Sequence, residues 1–503
     1  MTRAAWLAPL PDAAQMRALD AWAIGEQDIA SLDLMERAGL GLTSVADDVL
    51  ADSPVAIICG SGNNGGDGYV AARLWLEHGR AVRVLSVGAP KSPDARANAA
   101  RLPDGVCETF APRGLEGVGL VVDALLGTGA SGAPTGAHEA AIDAMNASGA
   151  AIVSADIPSG VDASSGETPG AAVRATATAT FAASKAGLWI APGKQHAGVV
   201  HVIDIGVPRG APIDPEIGLI TAAVLNTLPV RTSTSTKFSS GRVSIAGASR
   251  GLTGAVCLAA QAAARAGAGY VTALVPTTLE NIFEIKLTEQ MTVGLPEDAG
   301  ALGPKAAAVV VEKAERGALV LGPGAGSEAG AFVRDVAAAA TVPLVLDADG
   351  LNAHAGKLAT LADRGAPTIL TPHAGELARL LETEPEAIAA RRLHHARLAA
   401  RVADAIVVLK GDDTIVATPD GRAAISAGGC PALATAGTGD VLSGTIGALL
   451  AGGAEPFLAA CAGVFIHAEA GRLAARRVGS AGGVTASDVI ECLPRAAVRT
   501  SAG

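Results

Sequence analysis

Short apolar runs alternate with stretches of helical periodicity along the whole chain. In the first half, a helical segment at 69–78 lies among strand-like runs at 54–59, 81–87, 120–123, 151–156, 177–181 and 199–205. In the second half, a helical segment at 255–266 lies among strand-like runs at 243–246, 270–275, 318–321, 344–347, 368–371 and 405–410. Continuous apolar strands that alternate with helices are typical of parallel sheets covered on both faces. The pattern therefore predicts α/β structure in both halves.

A polar, Ser/Thr-rich stretch at 226–240 interrupts this alternation. Such a stretch is typical of a linker or of the entry to a new domain. The 503 residues are too many for one ordinary core, and the chain shows no short-period repeat. We therefore predict two unlike domains, 1–225 and 226–503, each of them a three-layer αβα sandwich.

Composition and charge exclude several classes of partner. The formal net charge is −11 and there is no long basic run, which argues against nucleic acid or an anionic membrane as the main partner. The six cysteines are scattered, so a zinc site or a disulfide framework is not expected, and Cys59 and Cys257 are predicted to be buried free thiols. No signal peptide and no uncharged run of about 18–20 apolar residues is visible. We expect a cytoplasmic protein.

Acidic and amide side chains follow three strands of the first half. Residues 60–68 read Gly-Ser-Gly-Asn-Asn-Gly-Gly-Asp-Gly and satisfy G-x-G-x-x-G, which suggests a dinucleotide loop. The second strand ends without a carboxylate, however, which disfavours a standard NAD redox fold. Asp123 and Asp156 end two further strands, and the carboxyl ends of parallel strands meet at one edge. Each acid alone is equally well explained as a helix cap, but together they predict a ligand site, with oxygen atoms that suit a hard cation.

These motifs, together with Leu34-Met-Glu-Arg-Ala-Gly39, Gly127–Ala133 and Asp156-Ile-Pro-Ser-Gly160, resemble the NAD(P)H-hydrate epimerase domain over about residues 10–225. The resemblance implies a Rossmann-like fold that interconverts the R and S epimers of the hydrated nicotinamide at its 6-hydroxy carbon. It also implies a potassium ion held by Asn64, Asp123 and Ser159. Asp156, with Lys185 nearby, is the expected source of the proton transfers, although Lys185 by itself is better explained as a surface lysine. The implied substrate contacts are Asn63, Asn64, Gly65, Gly66, Asp67, Gly127, Thr128, Gly129, Ala130, Ser131, Gly132, Ala133 and Asp156.

The second half carries a glycine-rich motif, Gly-Thr-Gly-Asp-Val-Leu-Ser-Gly, at 437–444. It places Asp440 at the start of a predicted helix over 441–450, where unpaired N–H groups attract phosphate and an acid can accept a proton from a hydroxyl. By itself the octapeptide is better explained as a turn with a capping Asp. Four further motifs, at 321–326, 346–352, 371–376 and 410–414, follow strands, and the last precedes a predicted hairpin at 415–421. Their joint placement predicts a phosphate-handling cleft.

From about Thr236 onward, Thr-Pro-His-Ala-Gly-Glu at 371–376 and the glycine-rich motif resemble the ADP/ATP-dependent NAD(P)H-hydrate dehydratase of the ribokinase-like superfamily. The resemblance implies Mg²⁺ with ADP or ATP, and Asp440 as the catalytic base. The implied hydrate contacts are Ala255, Gly324, His373 and Asp440. The implied nucleotide contacts are Lys410, Gly411, Asp412, Asp413, Thr414 and Gly439. One departure is Ala246-Gly-Ala-Ser, where the family often has a second glycine.

The two resemblances together imply a bifunctional enzyme that repairs hydrated NADH and NADPH, with an adenine nucleotide as co-substrate and a homo-oligomeric state. Two alternatives stay open. The chain would be a vitamin or sugar kinase with an accessory domain if a stable phosphorylated product were released. The first half would be only a binding module if it resembled the scaffolds of RNA-decapping proteins, but Asn64, Asp67, Asp123 and Asp156 argue against that.

Overall fold

The structure is a computed structural model that describes residues 4–499. It divides the chain into two compact units: the first is Pro9–Ile217, and the second comprises Ala4–Ala8 and residues 218–499. The division lies before the sequence-based boundary at 225/226. The reason is that strand β9 (Ile217–Ile220) lies beside strand β1 (Leu7–Pro9) in the sheet of the second unit.

The first unit is built on a seven-stranded sheet in the order β4-β3-β2-β5-β6-β7-β8, with every pair parallel. Its strands are β2 (Val55–Cys59), β3 (Val82–Ser86), β4 (Cys107–Thr109), β5 (Leu120–Ala124), β6 (Ala151–Ala155), β7 (Ala177–Phe181) and β8 (Val199–Ile203). Its α-helices are α1 (Ala13–Gly25), α2 (Ser31–Leu50), α3 (Asn63–Glu77), α4 (Pro93–Ala99), α5 (Ala137–Ala147) and α6 (Gly193–Ala197), with 3₁₀ turns at Pro112–Leu115 and Ala186–Leu188.

Alternate residues of β2 enter two different apolar cores. Val55, Ile57 and Cys59 pack with residues of α2 and α3, whereas Ala56 and Ile58 pack with residues of α5. A fully buried strand between two helical layers explains why this run is apolar without alternation. The predicted αβα sandwich is confirmed, and the strand order reverses between β2 and β5, where open α/β sheets bind ligands.

The segment predicted as a long glycine loop is largely helical. Helix α3 already begins at Asn63, with Gly62 as its N-cap. Glycine is needed there because a Cβ at Gly65 would lie 2.0 Å from the Gly60 carbonyl oxygen, and one at Gly68 would lie 2.8 Å from the Cys59 sulfur. The glycines therefore let the helix approach the end of β2, and only residues 60–62 form the loop.

The second unit has an eleven-stranded sheet in the order β1-β9-β20-β19-β18-β17-β16-β15-β10-β11-β12. The remaining strands are β10 (Arg242–Ala246), β11 (Tyr270–Pro276), β12 (Met291–Leu295), β15 (Ala318–Leu321), β16 (Leu344–Leu346), β17 (Thr368–Leu370), β18 (Ile406–Leu409), β19 (Ile415–Ala417) and β20 (Ala423–Ile425), with a separate ribbon of β13 (Glu297–Asp298) and β14 (Ala301–Leu302). The strands from β12 across to β18 pair in parallel, and β19 and β20 form the predicted antiparallel hairpin.

Helices cover this second sheet. They are α7 (Thr253–Arg265), α8 (Glu280–Lys286), α9 (Ala307–Ala314), α10 (Gly330–Ala339), α11 (Asp349–Asn352), α12 (Ala374–Leu381), α13 (Pro385–Ala390), α14 (Arg392–Ala403), α15 (Thr438–Ala451), α16 (Pro456–Val478) and α17 (Ala486–Ala496). The 3₁₀ turns are Ala222–Thr227, Thr277–Leu279, Pro304–Ala306, Ser327–Ala329, Leu358–Leu361, Pro431–Leu433 and Ala481–Gly483.

The largest apolar core of this unit joins α7, α15, α16 and α17 to the sheet. By length and composition α16 is long and apolar enough to cross a membrane, but 72% of its apolar segment is buried inside the protein. Its contacts with α15 and α17 explain its apolar character as that of a core helix. The thiols of Cys59 and Cys257 are buried, as predicted.

Candidate active sites

A cavity of about 540 Å³ lies at the carboxyl edge of the first sheet. One face of α1 and one of α2 line it, and so do the segments after β2, β5 and β6. The sequence-predicted residues in its wall are Asn63, Asn64, Asp67, Gly127, Thr128, Gly129, Ala130 and Asp156. Ser131, Gly132 and Ala133 line an adjoining pocket of about 210 Å³. Gly65 and Gly66 are not in either wall, because they pack against Gly60 and Met35.

Asp156 is held in a strained position at the centre of this site. Its φ of 64° lies in the left-handed region, which non-glycine residues adopt only where the surroundings impose it. Its carboxylate accepts hydrogen bonds from the Lys185 ammonium at 2.5 Å and from the Thr128 amide at 3.2 Å, and also from the Thr128 hydroxyl. Burial alone raises the pKa of Asp156, but the Lys185 charge and these hydrogen bonds outweigh it and lower the pKa below its ordinary value. Asp156 is therefore ionised.

The expectation that Lys185 is a surface lysine is wrong. Its side chain is 0% exposed, and its ammonium donates to Asp156, to the Thr180 hydroxyl at 2.9 Å and to the Phe181 carbonyl at 2.9 Å. A buried ammonium is tolerated only when it is paired and hydrogen-bonded. The pairing joins residues 29 positions apart in the chain, so local sequence patterns do not establish it.

Two further carboxyl groups face the same cavity. Burial, followed by the charges of Asp156 and Asp20, raises the pKa of Asp67 well above its ordinary value. Asp20, on α1, keeps part of its side chain exposed to solvent, and desolvation at the cavity wall together with the charge of Asp156 raises its pKa to about 6. Carboxyl groups with such different proton affinities in one cavity are a common basis for acid–base chemistry. No sequence motif pointed to Asp20.

The residues predicted to hold potassium lie beside this cavity. Asp123 is fully buried and accepts hydrogen bonds from the Ser159 hydroxyl at 2.6 Å and from the Ser154 hydroxyl at 2.8 Å. Asn64 packs against Gly127, and within residues 4–499 neither polar atom of its buried side-chain amide has a hydrogen-bond partner. The unpartnered Asn64 amide oxygen packs against the segment that follows Asp123, and the Ser159 hydroxyl is bonded both to that segment and to Asp123; such oxygen donors fit a hard monovalent cation.

The second site contains an acidic cluster with one lysine. The Lys410 ammonium, at the end of β18, lies 3.1 Å from Asp347 Oδ1 and 3.6 Å from Glu376 Oε2. A Cβ on Gly439, in the first turn of α15, would be 3.5 Å from the same nitrogen. Burial lowers the pKa of Lys410, but Asp347 and Glu376 outweigh it and raise the pKa, so this group stays charged.

Asp440 is the third residue of α15 and faces this cluster. Burial, with a smaller contribution from Asp347, raises its pKa to about 7, although Lys410 opposes the shift. A carboxyl group that titrates near neutral pH at a helix N-terminus can accept a proton beside a bound anion. The sequence-predicted placement of Asp440 at a helix start is confirmed.

His373 caps helix α12 and is part of a local network. Its Nδ1 accepts hydrogen bonds from the amides of Gly375 at 3.0 Å and Glu376 at 3.3 Å, and the Glu376 carboxylate accepts from the His373 amide at 2.8 Å. Burial lowers the pKa of His373, and Lys410 adds to that effect. Nδ1 is thus an acceptor of protein hydrogen bonds, and Nε2 lies 3.6 Å from Glu376 Oε1.

The remaining predicted hydrate contacts lie together at the ends of β10 and β15. A Cβ on Gly324, whose φ is 60°, would lie 3.2 Å from the Ala255 Cβ. In Ala246-Gly-Ala-Ser, Ala248 stands where the family often has its second glycine. It has a φ of 69°, and its amide donates a hydrogen bond to the Pro323 carbonyl at 2.9 Å. The alanine therefore adopts the conformation that glycine would take more easily, at a cost of about 1–2 kcal/mol.

The predicted nucleotide loop, residues 410–414, is braced by its own side chains. The buried Asp413 carboxylate pairs with Arg392 at 2.9 Å, and the Asp412 carboxylate accepts from the Gly429 amide at 3.0 Å. The Thr414 hydroxyl donates to the Gly411 carbonyl at 2.7 Å. The Asp413 carboxylate therefore shapes the loop, and Arg392 is a residue that sequence reasoning missed.

Comparisons with known proteins match each unit to a family profile. Residues 31–187 match the YjeF-related protein N-terminus, and residues 243–495 match the NAD(P)H-hydrate dehydratase. The bifunctional NAD(P)H-hydrate repair enzyme of Moorella thermoacetica is 40% identical over 84% of this chain and 84% of its own length. That of Salinibacter ruber is 39% identical over 83% of each chain.

The chain belongs to the bifunctional NAD(P)H-hydrate repair enzyme family. The family resemblance of both halves is thereby confirmed, and this assignment rests on the sequence matches. Among solved structures, an ADP/ATP-dependent NAD(P)H-hydrate dehydratase from Bacillus subtilis, co-crystallised with ATP/Mg²⁺, has a TM-score of 0.47 and 28% identity, covering 55% of this chain and 96% of that chain.

Proposed function

We propose that the chain repairs hydrated NADH and NADPH in two steps. The first unit epimerises the R and S hydrates, and the second unit dehydrates the S hydrate to NAD(P)H at the expense of ADP or ATP. The observation that carries this proposal is that each unit has its own acid-bearing site at the carboxyl edge of its sheet, centred on Asp156 and on Asp440. Epimerisation in the same chain makes both hydrates available to the dehydratase.

In the second unit, Asp440 accepts the proton of the hydrate hydroxyl as that oxygen attacks the terminal phosphoryl group. The N-terminal amides of α15 and the Lys410 ammonium stabilise the negative charge of the phosphates. The C6–O bond then breaks with help from the N1 lone pair, phosphate leaves, and loss of a proton from C5 to solvent restores the C5=C6 double bond of the dihydronicotinamide ring.

The Asp347 and Glu376 carboxylates, which lie together at Lys410, supply hard oxygen donors that suit magnesium. Within the described part of the chain no group of three or more His, Cys, Asp or Glu side chains is arranged to hold a metal by itself. This fits Mg²⁺, which usually binds one or two carboxylates and the phosphates of its nucleotide. When bound, the ion would shield the charge of the transferring phosphoryl group.

One assay tests both activities. The purified chain is given each chemically prepared hydrate, with ADP, ATP or no nucleotide, and the near-ultraviolet absorbance of reduced nicotinamide is followed. We expect recovery of absorbance from the S hydrate only with nucleotide, and from the R hydrate through epimerisation. A stable phosphorylated hydrate as the end product would contradict the dehydratase function and favour the kinase alternative.

We propose that potassium occupies the first site, held by Asn64, Asp123 and Ser159, and we expect it to strengthen hydrate binding. The support is the buried, unpartnered amide of Asn64, which packs against Gly127 in the segment that follows Asp123. Replacing K⁺ with tetramethylammonium at matched ionic strength should weaken binding to the first unit, because the larger cation cannot enter among these oxygens. Asp123→Ala should remove the ion dependence together with most of the affinity. Identical binding curves for the wild-type chain in both salts would exclude a functional ion.

Lys410→Met should move the pH dependence of dehydration to higher pH. The Lys410 ammonium lowers the pKa of Asp440, so its removal raises a value that is already about 7. Since the base acts in its ionised form, activity should then need a more alkaline solution. The measurement is kcat/KM for the S hydrate between about pH 6 and 9. An unchanged midpoint would show that Lys410 does not govern the ionisation of Asp440.

A further inference from the structure

Asp20 faces the cavity of the first unit from a wall that no sequence motif indicated. Met16, Arg17, Asp20 and Ile24 line the cavity from α1, and their spacing places them on one face of that helix. Asp156 enters the same cavity from the end of a strand. Ionisable carboxyl groups therefore reach a bound ligand from two separate walls.

The carboxyl groups in this cavity differ in the hydrogen bonds that they already accept. Asp156 accepts hydrogen bonds from Lys185 and Thr128, and also from the Phe181 amide at 3.4 Å. Across residues 4–499, no hydrogen bond reaches the carboxyl group of Asp20 or of Asp67. Asp67 is nonetheless only 8% exposed. An engaged carboxylate is a poor proton acceptor, whereas the two unpartnered groups are free to exchange protons with a ligand.

The charges around these two groups separate their protonation states near neutral pH. Desolvation at the cavity wall and the Asp156 charge raise the pKa of Asp20 to about 6, so this group is largely ionised at pH 7. Among the described residues, Asp67 is buried without a hydrogen-bond donor to its carboxyl group, which favours the neutral form, and burial raises its pKa well above its ordinary value. One base and one acid are thus present in the same cavity. A reaction that removes a proton from one atom of the substrate and adds a proton to another requires such a pair.

We propose that Asp20 is a catalytic base of the epimerase, with Asp67 as its acid; this rests on the epimerase function proposed above. The Asp20 carboxylate takes the proton of the hydroxyl on C6 of the hydrate. The electrons of that O–H bond form a C6=O double bond, the C6–N1 bond breaks, and N1 takes a proton from the Asp67 carboxyl group. The ring is now open, with an aldehyde at C6.

Rotation about the C5–C6 bond presents the other face of the aldehyde to N1. N1 then attacks C6 and returns its proton to Asp67, and the oxygen takes back the proton from Asp20. Both acids regain their starting states, and the product differs from the substrate only in the configuration at C6. Because the reverse reaction uses the same groups in the same states, the site serves both epimers without an oxidant or a reductant.

Other charged groups near Asp20 can also affect how the rate of epimerisation depends on pH. Those that line the same cavity are Arg17 on α1, Asp67 on α3, Asp94 on α4, His138 on α5 and Asp156, which is paired with Lys185. Asp94 provides a matched comparison, because it also contributes a carboxyl group to the wall, yet it is absent from the charges that shift Asp20, Asp67 and Asp156.

The test compares Asp20→Asn and Asp94→Asn in the full chain, with initial rates of R-to-S conversion measured above the rate without enzyme. We expect Asp20→Asn to lower kcat about 10²–10⁴-fold with little change in KM. In the wild-type chain kcat/KM should rise with pH through about pH 6, as the base ionises. This limb should be lost in Asp20→Asn and retained in Asp94→Asn. Asp20→Glu should restore part of kcat, because it restores a carboxylate.

Dehydration of the S hydrate, measured on the same preparations, should be unchanged and shows that the chain is folded. An Asp20→Asn chain with kcat within about threefold of the wild type, or with the acidic limb intact, would overturn the role of Asp20. A rise in KM alone would also overturn that role, because it would show that Asp20 only binds the substrate. A wild-type chain that does not accelerate epimerisation would overturn the epimerase function itself, which is a different result.

Discussion

Asp440→Asn should abolish dehydration of the S hydrate while leaving nucleotide binding largely intact. Asparagine fills the same space at the start of α15 but cannot accept the hydroxyl proton, and loss of a general base costs about 10²–10⁴-fold in rate. In the wild-type chain, kcat/KM should rise with pH through about pH 7, because the pKa of Asp440 is raised to about 7 and only its ionised form is the base. The measurements are NAD(P)H formation against pH and nucleotide binding by calorimetry.

Asp488→Asn is a matched control for this substitution. Asp488 is also the third residue of its helix, α17, where it accepts hydrogen bonds from the Thr485 amide at 2.9 Å and the Thr485 hydroxyl at 2.6 Å. Its loss should cost about 1 kcal/mol of stability without slowing dehydration. If both variants slow dehydration equally, the effect of Asp440→Asn comes from removing an acid in the first turn of a helix, and not from the loss of a catalytic base. Near-wild-type turnover in Asp440→Asn would refute the catalytic role.

Asp156→Ala should stop conversion of the R hydrate and spare dehydration of the S hydrate, because the two sites lie in separate units. It should also destabilise the first unit by about 3–5 kcal/mol, since it leaves the fully buried Lys185 ammonium without its carboxylate. Loss of activity in this variant would therefore have two possible causes, a missing group or a damaged fold.

The double variant Asp156→Ala/Lys185→Met separates these causes. It removes both charges, so it should recover most of the thermal stability of the first unit but none of the epimerase activity. The measurements are thermal unfolding, R-to-S conversion, and dehydration of the S hydrate with nucleotide present. Recovery of epimerisation in the double variant would show that Asp156 is needed only to neutralise Lys185. An equal loss of S-hydrate dehydration in a folded Asp156→Ala chain would refute the two-site arrangement.

The strands were predictable because burial on both faces leaves a continuous apolar run. The predicted runs at 177–181 and 318–321 coincide with β7 and β15, and most others differ by a residue or two at their ends. The start of α3 was missed because Asn and Gly favour loops by intrinsic propensity. Close packing against the end of β2 overrides that propensity, and it requires the glycines for steric reasons.

The sequence by itself determined the α/β class of both halves, the family, and the strand-end motifs that carry Asp156 and Asp440. Local patterns suffice for these because a strand, its following glycine-rich turn and the next helix are adjacent in the chain. Only the tertiary structure decided that Lys185 is the buried partner of Asp156, that Lys410 joins Asp347 and Glu376, and that Asp20 completes the first cavity. These groups are far apart in sequence, and their charges depend on burial and on neighbours that only the folded chain brings together.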